Sequence, residues 1–548
     1  MTALRLYNLM MPARDGVRLA TDVYLPAGDG PHPTILGRTP YNKNNPGYSG
    51  LIDAWNSRGY ALAIQDVRGR GDSEGSFVPY RHDAADGSHA VAWVAAQEWS
   101  DGNVVIQGAS YGAHAAWLTA VAQPAALRAL IVSVSPSDPF VEFPTGRSPM
   151  SISWYRMVDG HVMQSTDGIP WMEVYEHLPL RTMDERAGFC SPLWRADMEH
   201  PTRDAHWLPL CYQDRFAELD LPVLHISGWY DDEQVGTPIN FAGMARSAKS
   251  PRAHSLQRLL MGPWGHAVNA GRKLGEVDFG PTAVIDMESR MAAFADAALG
   301  RGGASTDGQA PVRIFVMGSN TWRDEQEWPL QRTRFTDFHL HSGGNANSRF
   351  GDGRLDTAPA SGDEPADMYQ YDPARPVPFL TDPVSSQIGG PDDYAAIEQR
   401  GDVLCYTTDP LDADMELTGP VRLVLFASSS AVDTDFTAKL VDVHPGGFCQ
   451  RLCDSVVRAR FREGNHREVP MAPGTVYQFD IDMWNTCQVI RAGHRVRLEV
   501  SSSAFPKYDR NLNTGEPIAT ATRMVVAENR VWHDAAHPSR LVLPVIPS

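Results

Sequence analysis

The run Val104-Val105-Ile106-Gln107-Gly108-Ala109-Ser110-Tyr111-Gly112 sets a serine between two glycines where an apolar run changes its period. The left part reads as a short buried strand, and the alanine-rich stretch from Tyr111 to Ala122 reads as a helix. A serine at such a switch can be a helix N-cap, since its oxygen accepts from free backbone N–H groups. Capping accounts for the serine but not for both glycines. A sharp strand-to-helix turn lifts a hydroxyl into the open as a nucleophile. It also crowds the positions two before and two after, and glycine at both relieves the crowding. Ser110 is therefore the candidate nucleophile.

A serine hydroxyl needs a base, and the base needs an orienting acid. In α/β-hydrolase sheets the partners follow in the order Ser, acid, His, each just past a later strand. Asp231 follows "PVLHISGWY" directly, and His266 follows "LQRLLMGPWG" directly. Asp232 and Glu233 compete for the acid role; Asp231 is preferred as the first acid past the strand. His114 lies one helical turn beyond Ser110 and reads as packing, and His225 lies inside a strand and reads as core. The chemistry this set implies is acyl transfer. His266 takes the Ser110 proton as the oxygen attacks an acyl carbon, and Asp231 holds the imidazole. The oxyanion needs two donors. The Tyr111 backbone N–H is one, and the loop "RTPYNK" after the strand "PTILG" offers the Tyr41 hydroxyl as the other.

Elements that would position these groups can be read along the chain. "VRLATDVYLP", "PTILG", "YALAIQDV" and "RALIVSVSP" are strand-like, and "DAADGSHAVAWVAAQEW" is helical. This order predicts a mainly parallel sheet with helices on both faces, over residues 1–136. The pattern breaks over 137–220, an irregular segment rich in aromatics and methionines that reads as an insertion or lid. Trp154 within it is a further candidate to line the acyl pocket. The alternation resumes over 221–310. From 311 to 548 short strands such as "VRIFVMG", "TDFHLHSGG" and "DFTAKLVDVHP" follow one another without a long helix, the pattern of a β-sandwich or jelly roll. The stretch 343–367 is turn-rich and reads as a surface loop.

Composition narrows the function classes. The 548 residues suggest about three domains. A net charge of −18 argues against nucleic acid and anionic membrane as partners. The six cysteines are scattered and read as reduced and structural, with no metal site and no cofactor expected. The N-terminus shows no signal-peptide pattern, and no apolar run approaches the roughly 20 residues needed to span a bilayer. The expectation is a cytoplasmic enzyme with a small-molecule ester, amide or short-peptide substrate; homo-oligomerisation stays open.

The set "RTPYNK", "DVRGRGDSEG", "GASYGA", "GWYDD" and "GPWGH" resembles the CocE/NonD hydrolase family, which spans esterases, α-amino-acid ester hydrolases, acylases and Xaa-Pro dipeptidyl-peptidases. The likeness continues in "LHSGG", "TGPVRLVLFASSSAVDTDFTAKLVDVHPGG" and "RAGHRVRLEVSSSAFPKYDRNLNTGE". It implies an α/β-hydrolase fold with an inserted helical cap and a C-terminal jelly-roll domain. It also implies Ser110, Asp231 and His266 as the triad, with Tyr41 and the Tyr111 N–H as oxyanion donors. Family members place aromatics where Trp229 and Trp264 stand, although packing under the loops explains those two equally well. Amino-ester hydrolases of the family carry Glu then Asp two positions after the catalytic acid. Here Glu233 matches and Gln234 departs. A carboxylate at 233 could pair with a substrate ammonium, or it could be a surface group or helix cap. Asp159, Glu173 and Glu176 are candidates for a completing acid in the insertion.

Two patterns are set aside. "AIQDVRGRGDSEG" has glycines like a dinucleotide fingerprint, but its last glycine is one position late and its acids would face a pyrophosphate. Arg70-Gly71-Asp72 is expected to be a structural turn. The expected function is a serine hydrolase working through an acyl-enzyme. The alternatives are an Xaa-Pro dipeptidyl-peptidase or an acyltransferase with the same triad and, in another class, a non-catalytic carbohydrate-binding protein.

Overall fold

A computed structural model describes residues 4–146, 148–303, 309–381 and 389–547. Among the described residues the first sheet has ten strands, of which the first eight are β1 Arg5–Pro12, β2 Arg18–Tyr24, β3 His32–Thr39, β4 Ala61–Asp66, β5 Ser100–Ala109, β6 Leu127–Ser133, β7 Val223–Gly228 and β8 Gln257–Gly262. Their order is β1-β2-β4-β3-β5-β6-β7-β8, with β1 and β2 antiparallel at one edge and the pairs from β4 onward parallel. Every residue of β4 and β7 is buried, as strands covered on both faces must be. The helices Asp83–Ala95 and Tyr111–Val121 cover one face through Ala90, Val94 and Trp117. The helix Met287–Leu299 covers the other through Phe294 and Ala295.

The sheet extends past residue 310. Val312–Val316 pairs in parallel with β8, and Thr321–Glu325 closes the edge antiparallel to it. "VRIFVMG" therefore belongs to the first sheet and not, as its sequence reads, to the C-terminal β-unit. An apolar strand carries no local mark of which sheet will take it. Here the open edge of β8 does, and the pairing removes an exposed edge.

Residues 137–220 leave the sheet between β6 and β7 as short helices. Pro170, Pro179 and Pro192 stand at or beside helix starts, where a missing N–H costs nothing and the residue before each is kept out of a helix. Tyr155, Trp171, Tyr175 and Trp194 pack together there, with Phe505 from the C-terminal region in the same cluster. From Arg334 to Ile546 the chain forms an eleven-stranded, almost wholly antiparallel sheet system. Its longest pair is Met415–Ser429 with Tyr477–Ile490, around a core that includes Leu423, Leu425, Phe436 and Phe479. Among the described residues no helix is long and apolar enough to cross a membrane.

Candidate active site

Ser110 stands at the β5-to-helix turn with φ 54° and ψ −121°, a strained backbone for a residue with a side chain. Both flanking glycines are accounted for by close approach. A Cβ on Gly108 would lie 2.2 Å from the Gly112 carbonyl oxygen, and one on Gly112 would lie 3.3 Å from that of Arg38. The Ser110 N–H is tied to the Ser133 carbonyl of β6 at 3.0 Å, which fixes the turn to the sheet. Tyr111 opens the following helix, so its N–H has no intrahelical acceptor.

Asp231 and His266 leave the ends of β7 and β8 on two loops that lie against each other. Trp229 N–H donates to Gly262 O at 2.9 Å, and Tyr230 N–H to Trp264 O at 3.0 Å. Gly228 makes the approach possible: a Cβ there would sit 2.0 Å from the Trp264 carbonyl oxygen. Asp231 Oδ1 lies 2.9 Å from His266 Nδ1, and Asp231 Oδ2 accepts from Ser227 Oγ at 2.6 Å. Asp232 Oδ1 is 3.0 Å from the same imidazole nitrogen. One N–H cannot serve both acids well. The better-directed hydrogen bond goes to Asp231, which leaves Asp232 Oδ1 buried without a hydrogen bond of its own.

Glu233 faces the serine. Ser110 Oγ donates to Glu233 Oε1 at 3.4 Å, and in this rotamer it does not bond to His266. Glu233 Oε2 is buried without a partner. Glu142, from the segment after β6, is a buried carboxyl whose Oε1 accepts from Ser137 N–H at 2.5 Å. Burial pushes Glu142 up to about 8, with Asp232 and Asp231 adding repulsion. Burial likewise holds Glu233 well above the carboxylate range, against the pull of His266. Burial alone would lower His266, but Asp232 and Glu233 together with the Asp231 hydrogen bond outweigh it and hold the imidazole well above its usual range. Tyr41 Oη accepts from the Trp154 indole N–H at 2.9 Å, which leaves its own proton to be given elsewhere. Burial pushes the Tyr41 phenol up to about 12, so it stays protonated at neutral pH.

Ser110, Tyr41, Tyr111, Trp154, Glu142 and Glu233 border one cavity of about 250 Å³. Other expectations end elsewhere. Trp229 is core: its indole donates to Phe315 O, and its ring packs on Trp328. Trp264 is core too, donating to Ala283 O and packing on Trp322. Neither borders the cavity, because the side chains turn under their loops while the backbones carry the acid and the imidazole. Asp159 lies near Arg156, and Glu173 pairs with Arg186 on the surface; neither these nor Glu176 borders the cavity. The acids of that segment that do border it are Asp138, Glu142 and Asp197, and Glu142, which sequence reasoning missed, lies close enough to Glu233 to repel it. An acid set inside the apolar run "PFVEFP" is the signal that could have found it.

His114 is buried, with Nε2 on Leu210 O, and burial pulls it down to about 4; His225 is buried in β7. Arg70 of the Arg-Gly-Asp turn is fully buried and bonds the carbonyls of Pro40, Val158 and Gly160, so the turn ties the Tyr41 loop to the inserted segment.

Residues 15–268 match the family described as X-Pro dipeptidyl-peptidase (S15 family), and residues 305–542 match the X-Pro dipeptidyl-peptidase C-terminal non-catalytic domain. The chain is 38% identical to cocaine esterase of Rhodococcus sp. (strain MB1 Bresler) over 98% of both chains. It is 25% identical to a putative serine esterase of Mycobacterium bovis, over 99% of this chain and 96% of that one. Among solved structures, an α-amino acid ester hydrolase superposes with a TM-score of 0.85 at 25% identity, covering 99% of this chain and 96% of that one. With such likeness sustained from end to end, the chain belongs to the CocE/NonD family of serine hydrolases.

Proposed function

We propose that the protein hydrolyses carboxylic esters through an acyl-enzyme formed on Ser110, with a preference for acyl groups that carry an α-ammonium. The observation that carries the reading is the meeting of groups far apart in sequence. Asp231 is hydrogen-bonded to His266 at 2.9 Å, and Ser110, on its strained turn, donates to Glu233 of the same acid loop and borders a cavity that Asp232 and Glu233 also line. His266 takes the Ser110 proton as Oγ bonds to the acyl carbon. Asp231 orients the imidazole and stabilises its cation, with Asp232 adding negative charge beside the same nitrogen. The carbonyl electron pair moves to an oxyanion held by the Tyr41 hydroxyl and the Tyr111 N–H. The C–O bond to the leaving alcohol then breaks as His266 returns its proton to that oxygen. Water repeats the sequence and releases the acid. The 137–220 segment serves as a cap over the acyl site, and the C-terminal strands form a jelly roll.

Cavity size and charge point to the acyl class. About 250 Å³ is just below the range of about 300–1,000 Å³ usual for ligand sites, which suits a small acyl group. Glu142 is buried and Glu233 half-buried, both border the nucleophile's cavity, and Glu233 Oε2 is buried without a partner. An ammonium in the cavity would satisfy that oxygen and favour the ionised carboxylates. The same pair would hold the free amine of an N-terminal aminoacyl group, so α-amino amides are the second reading. A fluorophosphonate probe tests the mechanism. Covalent labelling of the wild type that disappears in Ser110→Ala is the expected result; labelling undiminished by that substitution would sink the assignment of the nucleophile.

A further inference from the structure

Gln234 occupies the position where the sequence departs from the Glu-Asp pattern, and it does not face the cavity. It is 1% exposed, and its amide is almost fully used. Nε2 donates to Trp229 O at 3.0 Å and to Asn485 O at 2.7 Å. Oε1 accepts from Asn485 N–H at 3.2 Å and from Asn485 Nδ2 at 3.4 Å. One end of these contacts is the start of the 229–235 loop. The other is the backbone of the strand Tyr477–Ile490 in the C-terminal β-unit. The partners settle the amide's orientation, since Nε2 meets only carbonyl oxygens and Oε1 only N–H donors. An acid at this position would set a carboxylate against two carbonyl oxygens, and that accounts for glutamine here.

The same β-unit holds the loop's other shoulder. Tyr230 Oη donates to Arg451 O at 3.3 Å, and the Arg451 guanidinium lies 5.4 Å over the Tyr230 ring. Between Tyr230 and Gln234 lie Asp231, Asp232 and Glu233, the three acids closest in sequence to these two anchors. A loop of this length held only at its sheet end could shift by the fraction of an ångström that matters for the Asp231–His266 hydrogen bond.

We infer that Gln234 is a positioning residue: its side-chain amide clips the acid loop to the C-terminal β-unit and so sets where Asp231 and Glu233 stand relative to His266. This rests on the proposed roles of Asp231 and His266. It gives the region matched to a non-catalytic domain a part in the reaction, exerted through backbone groups and not through contact with substrate.

The test uses the full-length chain with Gln234→Met, a neutral variant of similar length, and with Gln234→Leu should the first fail to fold. kcat, KM and the pH dependence of kcat/KM are measured on a simple p-nitrophenyl ester, alongside circular dichroism and the thermal midpoint. The expected result is a folded variant with kcat down at least tenfold, KM changed less than threefold, and the acidic limb of the profile moved to lower pH as the carboxylates draw away from the imidazole. A variant with a lowered thermal midpoint but an unmoved limb and kcat within twofold of wild type would reduce Gln234 to packing and overturn the inference. Wild-type protein that takes up no phosphonate would instead overturn the underlying catalytic reading, which separates the two failures.

Discussion

Glu142 offers a measurement of the pocket's electrostatics that needs no substrate. Its carboxyl is buried and held at about 8, against 4.5 for an ordinary glutamate. Between those two values the folded protein keeps a proton that the unfolded chain has lost. Folding therefore takes up a proton, and stability falls as pH rises from about 4.5 to about 8, levelling off above that. At about 1.4 kcal/mol per pH unit, the total is on the order of 3–6 kcal/mol. Glu142→Gln keeps the oxygen that accepts from Ser137 N–H but has no proton to lose. The variant should match the wild type near pH 5 and be the more stable of the two by several kcal/mol at pH 8. Urea unfolding of both proteins at pH 5, 6.5 and 8, at fixed ionic strength, reads the difference directly. An α-ammonium ligand bound beside Glu142 should shrink the gap, since the ionised carboxylate then gains a partner. Parallel stability curves for the two proteins across this range would refute the reasoning, because they would show that Glu142 is already ionised in the fold.

Two further outcomes follow from the same geometry. Tyr41→Phe removes an oxyanion donor, and losing such a donor costs on the order of 3 kcal/mol of transition-state stabilisation. kcat should fall more than tenfold with the thermal midpoint little changed, and wild-type turnover would remove Tyr41 from the mechanism. Glu233→Gln should cut kcat/KM for α-amino esters far more than for acetyl or benzoyl esters. It should also move the acidic limb to lower pH, because Glu233 helps hold His266 above its usual range; equal losses on both substrate classes would discard the ammonium reading.

The candidate nucleophile could be read from local sequence because its constraint is local. Gly108 is a glycine because the Gly112 carbonyl in the turn leaves no room for a Cβ, and that crowding repeats wherever a strand turns sharply into a helix; Gly112 is held tight by the Arg38 carbonyl of β3 next door. That Asp231 and His266 would meet was legible for a related reason, since loops past parallel strands converge on one end of the sheet. The strand "VRIFVMG" was misplaced because its apolar pattern satisfies either sheet, and only the open edge of β8 selects one.

Other features existed nowhere in the linear chain. That Trp229 and Trp264 turn into the core follows from the packing of Trp328 and Trp322, which enter from later segments. That Glu142 reaches the cavity follows from the path of the chain after β6, which no periodicity encodes. Asp232 lies nearly as close to the imidazole as Asp231, and that the hydrogen bond goes to Asp231 is a matter of angle between two loops. Sequence alone determined which residue types could carry acyl transfer and in what order, because backbone sterics and strand order act over short spans. Tertiary structure decided which carboxyls share the cavity, how far their protons are displaced, and that Gln234 fastens the acid loop to a distant strand. Burial and charge–charge distance arise only when separate segments meet.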